Sequence, residues 1–231
     1  MLEEKSVLTR KQIITAIIMN LAIVVMAVIG AVNNYIYQDM KWGMLIYYTC
    51  NSNLLGALAC GILVIFYIRM LRTGEKLPGW AVILKYLAVC CLTITCLVTV
   101  FILTPTMAID ASLYDLDVTQ MSLGASAKMM FLGNVTLYHH LLDPLLAFFS
   151  FMWFEPLPCS AKKSLGFALI PTTIYAVVSI TLNILRVWHG PYPFLYVYEQ
   201  PLLMSFVWFI VVFGGAALIS YLIAKIRNKR N

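Results

Sequence analysis

Apolar residues run along this chain in six long blocks, at about 13–35, 44–70, 81–104, 128–154, 165–187 and 201–225. A helix needs roughly 20 consecutive, mostly apolar residues to cross the hydrocarbon core of a bilayer, and each block has that length. The pattern predicts an all-α polytopic membrane protein, a single domain over residues 1–231 with six transmembrane helices. The breaks carry turn chemistry. Arg72-Thr73-Gly74-Glu75-Lys76-Leu77-Pro78-Gly79 separates blocks two and three. Thr104-Pro105 is expected to end block three, because the residue before a proline disfavours helix. Pro156 and Pro158 follow block four, and Pro201 suits the first turn of block six. Block one follows Lys5, Arg10 and Lys11, exceeds a signal-peptide core in length and has no small-x-small cleavage site behind it. It reads as a retained helix. No internal repeat is visible, so the inverted-repeat signature of many secondary transporters is missing.

Composition agrees. Charged residues make up 11% of the chain, against roughly 25% in soluble domains. The net charge is +6, and its distribution matters more than its size. Of the 16 Lys and Arg residues, all but Lys41, Lys128 and Arg186 fall on one side of the blocks. The positive-inside rule then puts both termini in the cytoplasm, in a multi-pass protein of a cell membrane. The excess basicity is a topology signal that also meets anionic head groups, and no nucleic-acid partner is expected. The six cysteines show no CxxC or CxxH spacing, and all but Cys159 lie in apolar blocks, where cysteine behaves as a small hydrophobe. No metal site and no cofactor are expected. Haem would need two facing axial histidines, and His189 lies near the outer interface, far from His140 in depth.

The polar residues inside the blocks are the candidates for chemistry. His139-His140-Leu141-Leu142-Asp143-Pro144 sits in block four, where ionisable groups are costly and point to function. Helical spacing puts Thr136, His139, His140 and Asp143 on one face. Block two offers Thr49, Ser52 and Asn53, block three Thr93, Thr95 and Thr99, and block five Thr172, Tyr175, Ser179, Asn183 and Arg186. Singly, such hydroxyls are often helix-packing glue. Pro144 frees the carbonyl of His140, and Asp143 is spaced to reach either imidazole and fix its tautomer. Depth is a further guide. Thr49 lies roughly 12 Å in from Lys41, whereas His140 lies roughly 18 Å in from Lys128 and Asn53 roughly 18 Å in from Lys41. On that count Asn53 matches His140, and Thr49 meets His139 more easily.

Three motifs occur in order. Tyr47-Tyr48-Thr49-Cys50-Asn51-Ser52-Asn53-Leu54-Leu55, His139/His140 followed by Pro144, and Pro191-Tyr192-Pro193-Phe194-Leu195 together resemble the androgen-induced-gene family, which includes the androgen-dependent TFPI-regulating proteins, and its bacterial six-helix relatives. The resemblance covers most of the chain. It implies an intramembrane, metal-independent hydrolase or acyltransferase of fatty-acyl esters, working on a membrane lipid or acyl-ester substrate. By motif position Thr49 is the nucleophile and His139 or His140 the base, with the spacing of bacterial relatives closer to His140. Asp143 departs from the family pattern and suggests a triad or a different activity.

The chemistry is coherent. Threonine needs a base to take its proton, and the oxyanion needs donors, for which Asn53 or Asn134 are placed. Ser52, Asn183 and Tyr192 complete the polar lining of a pocket expected to open outward. The aromatic, proline-containing segment from Trp188 to Gln200 is expected to form its lid. Two other readings fit the same residues: a proton-coupled transporter or channel with His139, His140 and Asp143 as relay and Arg186 and Glu199 near the mouth, and a non-catalytic scaffold.

Overall fold

The computed structural model describes residues 8–114, 116–133 and 135–230. Asn134, one of the two asparagines named above as oxyanion donors, lies outside the described residues. The described residues form helices joined by short turns, with no strand among them. In chain order the principal helices are α1 (Arg10–Tyr37), α2 (Tyr48–Thr73), α3 (Gly79–Ile109), α4 (Leu123–Leu132), α5 (Asp143–Phe154), α6 (Ala161–Ile184) and α7 (Leu202–Lys229). Five of them, α1, α2, α3, α6 and α7, are long and apolar enough to cross a membrane. The protein is a multi-pass, all-helical membrane protein.

Local chemistry sets the helix ends. Thr9 caps α1: its hydroxyl accepts from the Gln12 amide at 3.3 Å, and the Gln12 side chain accepts from the Thr9 amide at 2.8 Å. This reciprocal pair satisfies two of the first-turn donors. Gly74 closes α2 with φ of 75°, a left-handed conformation that glycine adopts without steric cost. The buried face of α1 reads Ile13, Ala16, Asn20, Ile23, Ala27, Gly30, the spacing of one helical stripe. α3 is the most enclosed span; Val82, Tyr86, Val89 and Leu92 pack with Ile23, Phe151 and Ile223 in the main core. The first part of α7, Leu202–Phe209, has no buried residue.

The start of α1 and the end of α7 lie at one end of the bundle. Ile13, Tyr67, Ala81 and Phe154 cluster there, and Arg227 Nε donates to the Glu155 carbonyl at 2.9 Å. The start of α2 lies at the far end.

Two expectations about the blocks are corrected. The third helix does not stop at Thr104-Pro105; it runs on to Ile109. A π-turn at Thr99–Leu103 precedes the proline. The wider turn, bonded i to i+5, accommodates a ring that an α-turn would exclude. The fourth block is not one helix over 128–154. α4 ends at Gly133, whose backbone is extended (φ −80°, ψ 115°). A Cβ there would stand 2.8 Å from the Met129 carbonyl oxygen, so glycine permits the break. Helix resumes at Thr136, passes through a second π-turn at Tyr138–Leu142 and continues as α5. That resumed stretch, residues 136–154, covers roughly 28 Å at the α-helical rise.

Candidate functional site

The break after α4 is what builds the site. The last carbonyls of any α-helix have no intrahelical donor. Here the Met129 carbonyl accepts from the Thr136 hydroxyl at 3.1 Å, and the Met130 carbonyl lies 2.7 Å from His140 Nδ1. A carbonyl oxygen only accepts, so Nδ1 carries the hydrogen and Nε2 is left with its lone pair. Nε2 faces the Thr49 hydroxyl at 3.4 Å. The imidazole is buried and meets the Phe131 ring edge-on at 6.4 Å.

Thr49 is positioned by the start of α2. A 3-10 turn, Lys41–Ile46, leads to extended Tyr47, and α2 begins at Tyr48. Thr49 therefore stands in the first turn, where backbone amides lack intrahelical partners. Its own amide donates to the Tyr192 hydroxyl at 3.5 Å. Tyr192 is stacked on Phe194 at 5.2 Å and meets Tyr47 edge-on at 6.4 Å. Burial pushes the Tyr192 phenol up to about 12, so it stays a neutral hydroxyl at physiological pH.

On its open side Thr49 borders a cavity between α2, α3, α6, α7 and the segment after α6. Tyr48, Thr95, Thr99, Tyr175, Phe194 and Trp208 are among its walls, and among the described residues none that lines it is charged. A neutral apolar chain suits such a cavity, and Thr49 lies between it and His140.

The other sequence candidates fall in different places. His139 is buried on the opposite side of the turn, against α1: a Cβ on Gly30 would stand 2.0 Å from its Nε2. That nitrogen has no hydrogen-bond partner among the described residues. The depth count favoured His139 for Thr49, and the contact is with His140. The count started α2 at Lys41 and a continuous helix at Lys128, and neither holds. Asp143 is fully buried, and among the described residues it hydrogen-bonds neither ring and both its oxygens lack a partner. The π-turn spends more residues per turn, so the i+3 and i+4 spacings no longer bring the carboxylate to the imidazoles. The carbonyl of Met130 takes the orienting role expected of Asp143.

Asn53 Nδ2 is committed to the Thr49 carbonyl at 2.8 Å and the His139 carbonyl at 3.3 Å. It ties α2 to the π-turn instead of pointing at the cavity. Ser52 Oγ is 2.9 Å from both the Thr49 carbonyl and Thr95 Oγ1, facing α3. Asn183 holds the expected lid, donating to the His189 carbonyl and accepting from the Val197 amide at 3.3 Å. Of that segment, Tyr192, Phe194, Leu195 and Val197 line the cavity. Met130 and Gly30 were not legible as site residues, since one acts through its backbone and the other through its lack of a side chain.

No family model, curated protein or solved structure matches the chain.

The fit of His139 on Gly30 gives a test of this packing. Gly30→Ala is expected to destabilise the protein by about 1–3 kcal/mol through overpacking. In a His139→Ala background the same change should cost much less, because the clashing ring is gone. Thermal unfolding in detergent of the four proteins of this cycle measures the coupling, and additive effects would remove the contact.

Proposed function

We propose that the chain is an intramembrane hydrolase or acyltransferase of fatty-acyl esters, with Thr49 as nucleophile and His140 as base. The observation that carries this reading is the pairing of the Thr49 hydroxyl with His140 Nε2 at 3.4 Å, on a ring whose other nitrogen is held by the Met130 carbonyl. Such contacts are often long without substrate and tighten in the reacting complex. The ordered motifs that resemble the androgen-induced-gene family support the same assignment.

In the proposed reaction Nε2 takes the Thr49 proton as the oxygen attacks the ester carbonyl. The Tyr192 hydroxyl accepts from the Thr49 amide and keeps its own hydrogen, which in this reading it donates to the oxyanion. The ester C–O bond breaks, the alcohol leaves with the proton from His140, and the acyl group stays on Thr49. Water, or a second alcohol in a transferase, then takes the acyl group by the same steps in reverse. The uncharged cavity holds the acyl chain.

The same reading takes the fold as six spans, with residues 136–154 as the fourth and both termini cytoplasmic. The support is the distribution of Lys and Arg, although Lys85, counted above with the inner cations, is fully buried in the core. Cysteine accessibility in sealed membranes is expected to place Ala111→Cys and a cysteine added after Asn231 on opposite sides. Finding both on one side overturns the topology.

Turnover of a fatty-acyl ester tests the chemistry. His140→Ala is expected to lose about 10²–10⁴-fold, the contribution of a general base, while His139→Ala keeps most activity. Thr49→Ser should retain some turnover and Thr49→Val none. Full turnover in both His140→Ala and Thr49→Val would remove the mechanism.

A further inference from the structure

A second cavity lies on the other side of Tyr48 from the one beside Thr49. α2 and α6 both pack on α3, and a cleft of about 770 Å³ runs between them. The buried Cys91 of α3 and the buried Ser179 of α6 form its floor. Ile174 and Val178, both exposed, form its lip on α6. Trp42, before α2, and Trp188, after α6, close its end. Among the described residues none that lines the cleft is charged.

These properties point to what fills it. α2 and α6 are both long and apolar enough to span a membrane, so a mouth between them opens onto lipid. Indole rings of membrane proteins collect at head-group level, which sets the tryptophan end of the cleft at the membrane surface. From there it descends along α6 from Leu182 to Pro171, roughly 16 Å at 1.5 Å per residue. One leaflet of a hydrocarbon core about 30 Å thick is about 15 Å deep. An uncharged groove one leaflet deep fits a single acyl chain lying along the bilayer normal.

Tyr48 and Tyr175 line both this cleft and the Thr49 cavity, so their rings are the wall between the two. Three contacts hold that wall. The Tyr48 hydroxyl is 2.8 Å from Thr172 Oγ1, the Tyr175 hydroxyl donates to the Ile46 carbonyl at 2.8 Å, and the rings meet edge-on at 5.1 Å. A turn of the Tyr48 side chain breaks one hydrogen bond and joins the cleft to the cavity next to Thr49.

We propose that the α2–α6 cleft binds one acyl chain of a bilayer lipid, and that Tyr48 is the gate through which that chain reaches the Thr49 cavity. The substrate then comes sideways from the membrane, with its ester held near the surface. The entry role rests on the proposed hydrolase, whereas the lipid site does not.

The test is photo-crosslinking of the purified full-length chain in liposomes whose phosphatidylcholine carries an aryl diazirine on one acyl chain, with adducts mapped by peptide mass spectrometry. Leu203 and Phe206, on the exposed part of α7, should be labelled by any surrounding lipid and serve as the reference. Adducts are also expected on Cys91 and Ser179, which a chain reaches only from within the cleft. Ser179→Trp fills the floor and should remove the Cys91 adduct while the α7 adducts stay; Ile174→Trp serves if that variant does not elute as one species. Labelling of α7 without Cys91 or Ser179, as when a second copy or another protein covers the cleft, overturns the site. So does a Cys91 adduct undiminished in the filled variant. Tyr48→Ala, or Tyr48→Leu if the first does not fold, should extend labelling to Ile94 in the inner cavity. Ile94 labelling that is absent, or already as strong in the wild type, overturns the gate. Thr49→Val should label as the wild type does, which separates failure of the lipid site from failure of the hydrolase.

Discussion

The hydrogen bond from His140 Nδ1 to the Met130 carbonyl joins two features that would each be unfavourable alone. The last carbonyls of an α-helix have no intrahelical donor, so a helix that stops inside a packed bundle must satisfy them from other parts of the protein. α4 stops at Gly133, and the carbonyls of Met129 and Met130 are met by Thr136 and His140. A buried imidazole likewise needs a partner for its N–H. Each deficit answers the other, and the tautomer of His140 is settled as a consequence. Its free nitrogen then has one neighbour of chemical interest, the hydroxyl of Thr49.

The same accounting explains the turns around the site. Prolines in transmembrane helices are tolerated where the freed backbone groups find other partners. Pro105 and Pro144 each follow a π-turn, Thr99–Leu103 and Tyr138–Leu142. The second of these turns faces His139 and His140 apart, one onto Gly30 of α1 and the other toward α2. It also leaves Asp143 hydrogen-bonded to neither ring among the described residues. A doubled histidine that looks redundant in one dimension therefore serves two faces in three.

The apolar blocks made the helical membrane class legible, because a bilayer imposes length and hydrophobicity on any span. Thr49, His140 and Asn53 were legible as polar residues on helix faces. What the sequence left open was pairing, and the reasons are local. Counting depth at a constant rise assumed straight α-helices from Lys41 and Lys128, and a 3-10 turn and a helix break stand at those places. Asp143 was assigned to the rings by α-helical spacing, which a π-turn does not keep. Lys85 was counted among the basic residues of the inner side because of its type and its closeness to a loop. Its burial depends on Asn20 and Cys60, contributed by helices distant in sequence. The orienting partner of His140 is a backbone carbonyl, which no residue type announces.

The proposed chemistry requires that Thr49 be a nucleophile activated by His140. Labelling detergent-purified protein with a fluorophosphonate, followed by peptide mass spectrometry, asks this directly. The account predicts a single phosphonylated residue, Thr49, with labelling lost in His140→Ala and kept in His139→Ala. An adduct on any other side chain, or labelling of Thr49 that is undiminished without His140, would contradict it.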